Sequence, residues 1–223
     1  MCFSATASFT TAILTGAVGL ITVARVGSLK ELPLAASPLI FALQQAIEGL
    51  LWLTLEPTAN AAISTPLTYL YLGLAEVFWP LFVPVAVLVA EPHHIRRRLI
   101  SLLMVAGTLV AAFLLYFIVT QPHQAIILDG HIVYATEQPS PWAISILYLA
   151  ATTLPILLSS HRTLVVLGLL VLVGCITAYV FYWQAFLSTW CFFAAAGSGV
   201  IFFHFQRLQA LASARRIEAS RAG

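Results

Sequence analysis

VLVAEPHHIRRRLISLL, residues 87–103, sets a proline, two histidines and three consecutive arginines between two aliphatic runs. An arginine at the centre of a bilayer costs at least ~2.5–3.5 kcal/mol, so Arg96, Arg97 and Arg98 belong in water. The aliphatic runs on either side do not. One apolar segment therefore reaches this corner and the next leaves it, with Glu91-Pro92 as the break between two antiparallel helices.

The rest of the chain repeats that pattern. Of 223 residues, 61% are hydrophobic and 8% charged, against roughly a quarter charged in a soluble domain; mean hydropathy is +0.99. A soluble fold could not hide so much apolar surface, so the chain reads as an integral membrane protein. Segments of about 20 residues are needed to cross the hydrocarbon. Seven are predicted, over about 8–26, 34–55, 67–90, 99–120, 142–160, 163–183 and 186–206. The last two are parted only by Trp183-Gln184-Ala185.

Seven spans put all ten basic residues on one side: Arg25, Lys30, Arg96, Arg97, Arg98, Arg162, Arg207, Arg215, Arg216 and Arg221. Cytoplasmic loops retain Lys and Arg, so the expectation is a multi-pass protein of the bacterial cytoplasmic membrane with its N-terminus outside. The fold class is all-α, a bundle of seven transmembrane helices spanning 1–206, with a basic cytoplasmic tail, 207–223. In the loop between the fourth and fifth helices, AIILDGHIVY (125–134) joins two β-prone runs through Asp129-Gly130, a hairpin signal, and predicts a small outer lid. Trp52, Trp142, Trp183 and Trp190 all fall near the outer edge, where an aromatic belt is expected.

Two charges break the rule. Glu48 and Glu76 lie within spans, at outer depths differing by roughly 4 Å for a rise of about 1.5 Å per residue. Intramembrane acids mark functional sites by default, although a protonated Glu can also fasten helices. Gln44, Gln45, Glu48 and Trp52 share one face by i, i+3, i+4 and i+7 spacing, and Tyr69, Gly73, Glu76 and Pro80 share another. The expected site is an outward polar pocket in which Glu48 and Glu76 bind a proton, cation or small solute, with Gln44, Gln45 and Tyr69 as hydrogen-bonding partners. That pattern suits transport or permeation.

Cys2 and Cys191 fall at the outer rim, where an oxidising compartment favours a disulfide; Cys175 lies at mid-membrane as packing. Free thiols, or a redox, metal or haem site on these thiolates with His123, His131 or Glu48, remain open, and so does a non-catalytic sensor or assembly subunit. His93, His94, His161 and His204 cluster at the inner rim, where interfacial roles outweigh a four-histidine metal site. The sequence leaves enzyme activity and cofactor unassigned. The lipid bilayer is the expected partner, and a homo-oligomer is compatible with it. Nucleic acid is excluded by the small charge and the lack of basic-aromatic alternation, and a retinal pigment by Lys30 being the single lysine.

MCFSATASF (1–9), QQAIEGLLW (44–52) and TWCFFAA (189–195) resemble the signatures of an uncharacterised bacterial family of multi-pass proteins beginning MCFSA-x-ASF. The resemblance covers most of the chain. It implies seven membrane helices and the positions Cys2, Gln44, Gln45, Glu48, Gly49, Trp52 and Cys191, and brings no activity with it.

Overall fold

The computed structural model describes residues 4–55, 60–136 and 141–222. Each apolar segment forms a helix. Ser4 caps α1 (Ala5–Val23) by accepting the Ala7 N–H at 3.2 Å. A 3₁₀ turn, Leu29–Glu31, leads into α2 (Leu32–Leu55). The third helix, α3 (Ala61–Ala90), contains a π-helical stretch, Gly73–Phe78. Then come α4 (His94–Thr120), α5 (Trp142–Leu157) and α6 (Arg162–Phe181). The last helix, α7, has two parts, Phe186–Gly197 and Gly199–Ala222, meeting at Ser198. The narrow boundary before α7 is genuine: Tyr182 closes α6 and Trp183–Ala185 makes a 3₁₀ turn.

Six of these helices are long and apolar enough to cross a membrane. The exception is α5, with 16 residues, about 24 Å at a helical rise where some 30 Å is needed. The sequence predicts helix to residue 160, but the chain leaves the helix at Leu158 because Ser159 and Ser160 turn to meet Glu91. Glu91, 2% exposed, accepts the Ser160 N–H at 2.8 Å, the His93 N–H at 3.1 Å and the Ser159 hydroxyl at 3.4 Å, and the Ser160 hydroxyl as well. Arg96 reinforces the same corner, donating to the Leu158 and Ser159 carbonyls at 2.8 Å each, while Arg97 donates back to Leu88 and Glu91 carbonyls at 2.6 and 3.1 Å. Arg25 lies over the Phe202 ring, 4.7 Å from its centroid. The arginine-rich loops thus gather at one end of the bundle.

The β-hairpin closes the other end. Strands β1 (His123–Leu128) and β2 (His131–Thr136) pair antiparallel, with Leu128 opposite His131. Asp129 and Gly130 take φ of 50° and 72°, the left-handed pair that a two-residue turn requires. It is no loose lid. Ile132 and Ala125 are buried in a cluster with Ile47, Leu51, Trp52, Tyr71, Ala75 and Cys191, and Tyr134 stacks on Tyr71 at 4.5 Å. Burial of Trp52 and Trp190 corrects the expected belt: both face inward on α2 and α7, while Trp142 and Trp183 stay exposed.

The main core runs through α2, α4, α5, α6 and α7, with Leu34, Ile100, Leu114, Leu164, Val171 and Phe205 among its members. Gly107 lets α4 approach α3 closely, since a Cβ there would stand 2.1 Å from the Pro80 carbonyl oxygen.

Candidate functional site

The polar face predicted on α2 forms as a unit. Gln44, Gln45 and Glu48 are each 0% exposed. Gln45 donates to Glu48 Oε2 at 3.2 Å, and Ser188 of α7 donates to Glu48 Oε1. Gln44 accepts the Trp79 indole N–H of α3 at 2.7 Å, and Phe41 stacks on that indole at 3.9 Å. These bonds tie α2 to α3 and α7, so Glu48 sits inside a polar knot rather than in a pocket.

The face predicted on α3 crosses an irregular stretch. Gly73–Phe78 is π-helical, so residues three and four apart no longer stack as they would at 3.6 per turn. The Trp79 N–H reaches the Leu74 carbonyl, five residues back. In that register the Ala75 carbonyl would be served by residue 80, but Pro80 has no N–H. Tyr148 of α5 donates its hydroxyl to Ala75 instead. Tyr69, expected beside Glu76, accepts the His123 N–H at 3.4 Å and contacts that ring edge-on, which fastens the hairpin.

The π turn directs Glu76 into a cavity of about 580 Å³ beneath the hairpin. Its polar lining is Glu76, His123, Tyr134, Thr136, Ser145, Gln184 and Ser188, and its rings include Phe117, Trp142, Tyr179, Trp183 and Phe186. His123 Nδ1 donates to the Gln121 carbonyl at 2.8 Å. Ser188 stands in the cavity wall and donates to Glu48 behind it. The two acids are therefore unequal: Glu76 lines the space and Glu48 lies one hydroxyl away from it. Gln44, Gln45 and Tyr69 do not line the cavity. A second space of about 150 Å³ shares Glu76 and Ser145 and reaches Tyr148. Past Tyr148, a third of about 60 Å³ is almost wholly apolar, lined by Trp79, Trp190, Cys191 and residues as far as Ile201.

Sequence reasoning missed most of this wall, because its members come from five helices and the hairpin. Ser145 and Ser188, hydroxyls inside apolar spans, were the local signals.

Cys175 and Cys191 are buried free thiols, so Cys191 is not in the disulfide expected with Cys2; Cys2 lies outside the described residues. Gln44 and Tyr71 stand next to the Cys191 thiol. Among the described residues no group of three His, Cys, Asp or Glu side chains is placed to hold a metal ion. At the arginine end only His161 and His204 meet, with rings 5.0 Å apart, and His204 Nδ1 lies 2.5 Å from the Thr163 hydroxyl. At the same end burial would raise the Glu91 carboxyl, but the Ser160 and His93 donors and the charge of nearby His161 hold it below the usual carboxylate range. His131, on the hairpin, is lowered by burial against the opposing pull of Asp129.

Comparison with curated proteins and with solved structures finds no match. Residues 1–216 match the family of unknown function DUF6629, and the chain belongs to that family.

Proposed function

We propose that the protein is a transport or permeation protein of the bacterial cytoplasmic membrane in which the cavity beneath the hairpin receives a proton, cation or small solute at Glu76. The observation that carries this reading is a membrane-depth carboxylate lining a cavity of about 580 Å³, a volume within the range of small-molecule sites. Glu48 serves from behind, holding Ser188 and the α2–α3–α7 contacts in place. The hairpin end faces outward and the C-terminal tail inward, a reading supported by the gathering of arginines at the opposite end. Glu76, Tyr148 and the apolar chamber beyond it line up as vestibule, barrier and inner segment of one route.

Flux into liposomes tests the proposal. Uptake through the wild-type protein that is lost in Glu76→Gln supports it. A protein that moves no solute, with either side chain, returns the family to a sensing or assembly role.

A further inference from the structure

Resting on that reading, the lining of the cavity narrows the class of ligand. Glu76 is the one acid among the described lining residues, and no lysine or arginine joins it. Against the described lining, an anion entering would meet a carboxylate with no lysine or arginine to offset it, which costs more in a poorly solvated space than in water. A bare metal ion is usually held by several carboxylate, imidazole or thiolate ligands, and among the described residues no three such side chains gather here. A proton alone needs neither the volume nor the rings.

The rings are the second observation. Phe117, Trp142, Tyr179, Trp183 and Phe186 line the same space as Glu76, and Tyr179 and Trp183 meet edge to face with centroids 4.8 Å apart. Trp142 and Trp183 are largely exposed, so their surfaces are available to a bound molecule. A carboxylate within an aromatic wall whose described residues include no lysine or arginine is the chemistry by which proteins hold ammonium groups, because the ring faces carry negative potential and a carboxylate supplies the counter-charge. Ser145, Thr136 and Gln184 add neutral hydrogen-bonding groups for the rest of such a molecule.

We propose that the cavity takes an organic monocation, an amine or quaternary ammonium compound of small-molecule size, neutralised by Glu76 and packed against Trp142, Tyr179 and Trp183. The ammonium group belongs either to a free solute or to a lipid headgroup.

The test is calorimetric titration of the full chain in phosphatidylglycerol nanodiscs with choline, tetraethylammonium, the uncharged choline isostere dimethylbutanol, the carboxylate dimethylbutyrate, and potassium. The expected result is binding of the ammonium probes, with the uncharged isostere weaker by about tenfold. Glu76→Gln should weaken choline by more than about tenfold and Trp183→Ala by about threefold, with unchanged melting temperatures showing that both variants fold. Adding phosphatidylethanolamine identifies the source: competition with choline points to a headgroup, and undiminished choline binding to a free solute. Equal binding of the isostere or the carboxylate overturns the organic-cation assignment while leaving a solute site at Glu76. Potassium competing on equal terms with choline also overturns it, in favour of an inorganic cation. No binding by any probe, together with no flux, removes the solute site itself.

Discussion

Glu48 and Glu76 occupy adjacent helices in the same half of the bundle, yet their surroundings have little in common. Around Glu48 the hydrogen bonds serve packing: Gln45 of the same helix and Ser188 of α7 donate to its carboxylate, and Gln44 one turn away receives Trp79 of α3. Around Glu76 the backbone itself is rearranged, and the side chain faces space. An acid at membrane depth is thus either part of the packing or part of a path, and the local hydrogen-bond inventory separates the two. A polar group enclosed by donors resists removal, whereas one facing a cavity can be exchanged with little structural cost.

Substitutions can break this contrast. Glu48→Leu strands the Ser188 hydroxyl and the Gln45 amide in the core, so it should cost about 3 kcal/mol in thermal unfolding in detergent. Glu76→Leu should cost under about 0.5 kcal/mol in the same measurement. Equal losses would mean that both acids are structural. Tyr148→Phe probes the seam between the regions: it leaves the Ala75 carbonyl without its donor, and a loss of about 1–2 kcal/mol is expected. An unchanged melting temperature would show that the π turn needs no such support.

The arginine end supplies a reference acid outside the membrane-spanning segments. Because the Glu91 pKa is lowered in the folded protein from an ordinary value of 4.5, its stabilisation is complete above pH 4.5 and fades as pH falls through the lower folded value. Glu91→Gln should therefore lose about 1 kcal/mol near neutrality and show a flatter melting-temperature profile than wild type in acid. A parallel profile would assign the acid sensitivity to another group.

Much of the fold was legible from sequence because the physics that fixes it is local. The arginine triplet and the prolines mark the corners and Asp129-Gly130 marks the turn; the i, i+3, i+4 spacing grouped Gln44, Gln45 and Glu48, all three of which are buried. On α3 that spacing is a poorer guide, since helical periodicity assumes an uninterrupted α register and Gly73–Phe78 is π-helical. Pro80 hinted at that break without specifying it. The Glu91 corner was invisible for another reason. Its partners Ser159 and Ser160 lie 68 and 69 residues away, and read locally they are only loop residues. Trp52 and Trp190 show a further limit, because depth along a helix can be counted but the direction a ring faces depends on neighbouring helices.

Access to the two acids is the most direct measure of their difference. With Cys2, Cys175 and Cys191 replaced by serine, Glu76→Cys and Glu48→Cys variants can be exposed in intact cells to a membrane-impermeant thiosulfonate reagent. The expected result is rapid modification at position 76 and none at position 48. Labelling at 48 with protection at 76 would contradict the assignment of the cavity to Glu76 and with it the proposed site.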